Sequence, residues 1–215
     1  MRPPSLKISE IFLSLQGESS RVGLPTVFVR LTGCPLRCVW CDTAYAFSGG
    51  RTMSLPEILE EVASHDVRRV CVTGGEPLAQ PASLLLLRAM CDAGHAVSLE
   101  TSGACDISGV DTRVSRIVDV KAPGSGEVER NHWPNLALLT CSDELKFVLK
   151  DRADYEWARQ LIIDRRLAER CPLLFAPVDG ELAAAALADW ILADRLPVRF
   201  QLQLHKILWG KERGR

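Results

Sequence analysis

The 215-residue sequence predicts an α/β fold, a partial, open barrel of parallel strands formed as one domain over residues 1–215. Three observations carry this. Short apolar runs alternate with helical patterns, which marks βαβ units on a parallel sheet. About six strands with three or four long helices are too few for a full eightfold barrel of ~250 residues. The unusual residues fall just after strands, where parallel α/β folds gather their chemistry.

Candidate strands lie at 26–31, 70–73, 96–100, 117–120, 145–149, 173–175 and 198–202. Several are near-continuous apolar runs, as expected where helices cover a sheet. A first helix at 54–65 opens on the capping box Ser54-Leu55-Pro56-Glu57, with proline in the first turn. A second runs from Pro81 to about Ala93 and stops at Gly94. A third, 151–166, starts from an Asp151 cap, and a fourth, 181–195, is rich in alanine. The stretch 131–140 reads as a short helix or a loop.

Composition narrows the function. The chain has 26 Lys plus Arg against 27 Asp plus Glu, for a net charge of −1. That balance argues against general binding to nucleic acid or anionic membrane, which needs clustered cations. No run approaches the ~18 apolar residues of a membrane span, and Leu182–Leu192 is interrupted by Asp189. The start, Met1-Arg2-Pro3-Pro4-Ser5-Leu6-Lys7, lacks the apolar core of a secretion signal. With eight cysteines in a chain this long, a reducing cytoplasm and thiolate–metal chemistry are expected.

Three of those cysteines form the loop 34–41, Cys34-Pro35-Leu36-Arg37-Cys38-Val39-Trp40-Cys41, spaced C-x3-C-x2-C after a strand. A loop can wrap three thiolates around one face of a metal centre, whereas a strand alternates its side chains. Structural zinc wants a fourth protein ligand, and the nearest histidine, His65, lies beyond a helix. Thiolates also suit an iron–sulfur cluster, where three cysteines leave one iron open. A zinc site completed by a remote residue is the alternative.

This triplet, with Trp40 before its third cysteine, resembles the radical S-adenosylmethionine superfamily and its partial, open (β/α)6-type barrel. The resemblance implies a [4Fe–4S] cluster on Cys34, Cys38 and Cys41. It also implies S-adenosylmethionine on the open iron, cleaved after one-electron reduction to a 5′-deoxyadenosyl radical. Gly74-Gly75-Glu76-Pro77 follows the second strand and looks like the superfamily's motif for the methionine amine. Asp119-Val120-Lys121 ends the fourth strand, where relatives place a polar pair around the methionine carboxylate.

Further segments narrow the resemblance. They are Glu10 to Glu18, Phe28 to Cys34, Cys41-Asp42-Thr43, Val72 to Pro77, Leu99 to Gly103 and Gln203-Leu204-His205-Lys206. Together they resemble the 7-carboxy-7-deazaguanine synthase family, which uses a trimmed core. The resemblance implies conversion of 6-carboxy-5,6,7,8-tetrahydropterin to 7-carboxy-7-deazaguanine with loss of ammonia, in queuosine precursor biosynthesis. S-adenosylmethionine would act catalytically and Mg²⁺ would assist. Substrate contacts would fall on Leu15, Gln16, Gly17, Arg30, Thr73 and His205. Cofactor contacts would fall on Trp40, Cys41, Asp42, Gly75, Glu76, Asp119, Val120, Lys121, Ala176, Pro177, Val178 and Asp179. Thr43 would bind Mg²⁺, and no protein side chain is assigned a catalytic role.

The pattern departs from the family in two places. Relatives often read Ser-Pro-Lys where this chain has Asp119-Val120-Lys121, and the chain continues past His205 to Arg215. Cys71, Cys91, Cys105, Cys141 and Cys171 read as structural, and His205 as sitting at a late strand end. A homodimer through the late helices and a reductant such as flavodoxin or ferredoxin complete the expectation. The competing readings are a glycyl-radical-type activating enzyme that acts on a protein, and a non-enzymatic zinc module.

Overall fold

A computed structural model describes residues 4–210 and 212–215. The elements in chain order are β1 (Ser5–Leu15), β2 (Pro25–Leu31), β3 (Arg51–Ser54), α1 (Leu55–Ala63), β4 (Arg69–Gly74), α2 (Ser83–Asp92) and β5 (Ala96–Thr101). There follow β6 (Ser115–Asp119), β7 (Glu144–Leu149), α3 (Arg152–Asp164), β8 (Leu173–Pro177), α4 (Ala184–Asp194), β9 (Arg199–Phe200) and α5 (Leu204–Trp209). One nine-stranded sheet takes the order β3-β1-β2-β4-β5-β6-β7-β8-β9. From β2 to β9 every pairing is parallel, while β1 runs antiparallel to both β2 and β3. The sheet does not close on itself, so the barrel is open, and its parallel part is the one the alternation of runs predicts.

The antiparallel margin was not expected. The segment 10–18, read as preceding the first strand, lies mostly in an 11-residue strand. A bulge explains why its pattern is hard to read. Leu6 and Ile8 are buried in the core, then the register slips between Ile8 and Glu10, and Ile11 packs on the same core. One extra residue reverses which parity faces inward. β3 has four residues on the sheet edge, too few to leave a periodic signal.

The other end of the sheet also needs correction. The strand expected at 198–202 keeps only Arg199–Phe200. Gln201 N still donates to Phe175 O at 2.9 Å, while its side-chain amide turns to the Ser19 backbone in reciprocal bonds, both at 3.0 Å. His205 therefore lies in the short helix α5, not at a strand end. The stretch 131–140 contains a 3-10 turn, Trp133–Leu138. Both predicted caps form: Ser54 N donates to the Glu57 carboxylate at 2.7 Å, and Asp154 N donates to Asp151 at 3.0 Å.

Strand alternation divides the sheet into two chemistries. Val27, Val29, Val70, Val72, Val97, Leu99, Val118, Leu145, Phe147 and Phe175 belong to one core beneath the helices. The intervening residues face the concave side, among them Phe28, Arg30, Thr73, Glu100, Asp119 and Lys146. The connection 16–24 folds against the inner strands: Ser20 N donates to Glu144 and Arg21 Nη1 to Ser115 Oγ. Among the described residues no helix is long and apolar enough to cross a membrane.

Candidate active site

The cysteine loop leaves the carboxyl end of β2 and is held by its own backbone. Gly33 N donates to Ala46 O at 2.8 Å, Val39 N to Ser125 O at 3.1 Å, and Cys41 N to Cys38 O at 3.2 Å. Arg37 Nη1 donates to the carbonyls of Cys34 and Leu36 at 2.8 and 2.6 Å. Cys34, Cys38 and Cys41 are free and half-buried. Burial pushes the Cys34 and Cys38 thiols up. Among the described residues no three His, Cys, Asp or Glu side chains converge as they would on a single metal ion. Three thiols on one loop suit a cluster, where each sulfur holds its own iron.

Gly74 and Gly75 let β4 press against that loop. Gly74 has φ +143, and a Cβ on Gly75 would lie 2.1 Å from Gly33 O. Glu76 N donates to the same carbonyl at 2.7 Å. The Glu76 carboxylate, which sequence matching directs toward a ligand amine, is fully buried. It accepts from Leu78 N at 2.9 Å, Thr101 Oγ1 at 2.8 Å, Ser102 N at 2.7 Å and the Ser102 hydroxyl. In this state Glu76 latches the turn after β4 to the end of β5.

The concave face brings together several groups that sequence matching selects and several that it missed. Gln16 Nε2 donates to Glu100 Oε1 at 3.2 Å, and Thr73 Oγ1 donates to Glu100 Oε2 at 2.9 Å. Arg30 lies beside them. Its Nε donates to Glu10 at 2.7 Å, and its guanidinium faces the rings of Phe12 and Tyr45. Tyr45 also donates to Glu10, and burial foremost pushes its hydroxyl up to about 12.

Deeper in the face, Lys121 Nζ is 3.2 Å and Lys146 Nζ 3.7 Å from Asp119 Oδ2. Asp119 Oδ1 is buried with no hydrogen-bond partner among the described residues, so one carboxylate oxygen is left for a ligand donor. Lys146 also donates to Glu18, whose other oxygen accepts Gln203 Nε2 at 2.6 Å. Burial opposes the charge on both lysines, yet their carboxylate neighbours win and hold both above the ordinary value.

The C-terminal segment forms another wall. Leu204 N donates to Gly17 O at 2.9 Å. A Cβ on Gly17 would lie 2.2 Å from His205 Nδ1, so only glycine admits the imidazole so close. Burial lowers the His205 pKa. Asp42 accepts from Thr43 Oγ1 at 2.9 Å and pairs with Lys206 at 3.0 Å. Its own burial works against ionisation, but Lys206 above all holds its carboxyl well below the usual range. Ala176, Pro177 and Val178 are buried at the end of β8 and Asp179 is exposed. Val120 is buried and Trp40 half-buried on the cysteine loop. Leu15 ends β1, where it pairs with Pro25.

Sequence reading missed Glu10, Glu18, Glu100, Lys146 and Gln203. For Lys146 a signal existed: it is a charge interrupting the apolar strand run 145–149, which marks an inward-facing polar position. A separate polar cleft of about 380 Å³ opens near Arg21, Arg113, Ser142 and Glu144 and holds none of the selected residues.

Comparison with known proteins agrees with this geometry. Residues 28–164 match the Radical SAM superfamily. A 7-carboxy-7-deazaguanine synthase of Chlorobaculum tepidum is 47% identical over 210 residues, covering 96% of both chains. The Thermoplasma acidophilum protein of the same name is 37% identical, covering 96% of this chain and 99% of its own. Among solved structures, QueE from Escherichia coli superposes with a TM-score of 0.74 at 23% identity, covering 94% of this chain and 95% of that one. Streptococcus suis SuiB bound to its precursor peptide SuiA reaches 0.58 over 80% of this chain and 46% of its own. Near-complete coverage at up to 47% identity extends the match well beyond the cysteine loop, and the chain belongs to the 7-carboxy-7-deazaguanine synthase family of the radical SAM superfamily.

Proposed function

We propose that this chain converts 6-carboxy-5,6,7,8-tetrahydropterin to 7-carboxy-7-deazaguanine and ammonia, in queuosine and 7-deazapurine precursor biosynthesis. The supporting observation is the pairing of the three-thiol loop with a concave face that carries Gln16, Thr73, Glu100 and Arg30. Cys34, Cys38 and Cys41 would hold a [4Fe–4S] cluster. Reductive cleavage of bound S-adenosylmethionine supplies a radical able to take hydrogen from a carbon that acids and bases cannot activate. The conversion is redox-neutral overall, which fits a cofactor that is regenerated.

The chain's own residues bind and orient. The Arg30 guanidinium suits the substrate carboxylate through its terminal nitrogens while Glu10 holds Nε. Gln16 and Glu100 together offer donors and acceptors to a pterin edge, with Leu15, Gly17 and Thr73 lining the approach. His205, kept neutral by burial, can donate or accept there.

On the cofactor side, Lys121 would pair with the methionine carboxylate, and the free oxygen of Asp119 would accept from a ligand donor. Trp40, Cys41, Asp42, Gly75 and Val120 contribute surface and backbone, and Glu76 fixes the turn through its latch. Ala176, Pro177, Val178 and Asp179 would border the adenosine. Thr43 supports a Mg²⁺ site: its proton points to Asp42, which leaves hydroxyl lone pairs for a hard cation.

The protein works in the cytoplasm, reduced by a flavodoxin or ferredoxin. Exposed Ile163 and Leu192 on α3 and α4 support a homodimer.

Anaerobic reconstitution with iron and sulfide should give a brown protein. Dithionite, S-adenosylmethionine and the carboxytetrahydropterin should then give 7-carboxy-7-deazaguanine, read by mass. A brown protein without product would refute the substrate assignment, and a colourless, zinc-loaded one would refute the enzyme.

A further inference from the structure

Lys146 has no part in the reading above, yet it occupies the centre of the charged face. Its neighbours Leu145 and Phe147 are buried on the opposite side of β7, so a packed strand fixes its position. Its ammonium bonds Glu18 and lies 3.7 Å from Asp119 Oδ2. Glu18 follows directly on the substrate segment 15–17, and Asp119 belongs to the cofactor-side triplet 119–121.

We propose that Lys146 is a positioning residue that couples the substrate subsite to the cofactor subsite by holding Glu18 and Asp119 to one ammonium. This rests on the pterin and cofactor reading above. Two ammonium groups, Lys121 and Lys146, face two carboxylates, Asp119 and Glu18, with Glu100 near Lys146 and Asp42 near Glu18. Both lysines share Asp119 Oδ2, which leaves the buried Oδ1 open. A ligand donor at Oδ1 draws on the aspartate's charge and weakens its hold on Lys146. Lys146 then pairs more fully with Glu18, whose second oxygen grips Gln203. That fixes the segment 16–18 against the C-terminal wall, where Leu204 N meets Gly17 O. Binding at one subsite therefore favours binding at the other, and linkage makes the effect reciprocal. Without Lys146, Asp119 keeps Lys121 while Glu18 loses the cation it shares with Asp119, and the transmission is cut.

The test is calorimetric and needs no turnover. With the cluster loaded but oxidised, the Kd of the carboxytetrahydropterin is measured anaerobically without and with saturating S-adenosylmethionine. In the wild type the cofactor should tighten the pterin at least fivefold. In Lys146→Met the ratio should fall to about one, in Lys146→Arg most of it should return, and Glu18→Gln should lose it while keeping shape. Circular dichroism checks folding; if Lys146→Met fails to fold, Glu18→Gln and Lys146→Arg carry the comparison. Full coupling in Lys146→Met or in Glu18→Gln would overturn the proposal. A wild type that binds pterin with no cofactor effect would also overturn it and leave the proposed reaction standing. A wild type that does not bind pterin would overturn both.

Discussion

Glu76→Ala separates a latch from a ligand group. The carboxylate is fully buried and accepts from four donors: Leu78 N, Thr101 Oγ1, Ser102 N and Ser102 Oγ. The two hydroxyls can rotate toward other acceptors. The two backbone N–H groups cannot, and each buried donor left unpaired costs about 1–3 kcal/mol. Removing the carboxylate also removes its own desolvation cost, which offsets part of the loss. A net destabilisation of about 2–4 kcal/mol follows. With a urea m-value near 3 kcal/mol/M, the midpoint should drop by roughly 1 M. Glu76→Gln should fall about half as far, since one oxygen still serves Leu78 and Thr101 while its NH₂ opposes Ser102. The assay is urea unfolding of the cluster-free protein followed by circular dichroism, with m checked for constancy. If Glu76→Ala melts within about 0.2 M of the wild type, yet no longer binds S-adenosylmethionine, the latch argument is wrong and Glu76 acts as a ligand group.

Three shorter tests address other parts of the site. In Gly75→Ala the new Cβ meets Gly33 O at 2.1 Å, so the turn after β4 must lift from the cysteine loop. Reconstituted iron per chain should fall below half, and an unchanged iron content would contradict the close packing. Arg30→Lys keeps charge but loses the planar fork, so the KM for the pterin should rise at least tenfold while the visible cluster spectrum stays. Unchanged turnover kinetics would remove Arg30 from the pocket. Burial, aided by the Lys206 charge, lowers the His205 pKa against the Glu18, Asp42 and Glu100 carboxylates, so the unfolded chain binds the proton better. The stability from neutral His205 is whole above the unfolded value of about 6.5 and is lost as pH falls through the folded value. His205→Gln should flatten the stability curve between about pH 7 and 5; a parallel slope in both proteins would argue against the assignment.

The parallel sheet was legible because its strands alternate with capped helices, and Ser54-Glu57 and Asp151 mark two helix starts through short-range bonds that sequence displays directly. The cysteine loop and the glycines after β4 were legible for the same reason, since each motif is contiguous. What escaped depends on tertiary register. The bulge after Ile8 reverses the parity of β1, so its apolar residues follow no single period. Glu100, Lys146 and Glu18 lie far apart in the chain, and no local pattern ties one to another. Only the curvature of the sheet shows that they face one another. Glu76 illustrates the opposite limit: its motif was plain, but three of the four donors on its oxygens come from Thr101 and Ser102 at the end of β5 and could not be read from the motif.

The reciprocal bonds between Ser19 and Gln201 join positions 182 apart. Contacts of such separation form slowly, because the loop between them must be closed before they add stability. The pocket is thus finished last, and a nascent chain that already carries its cysteine loop still lacks the wall that would confine a reactive species.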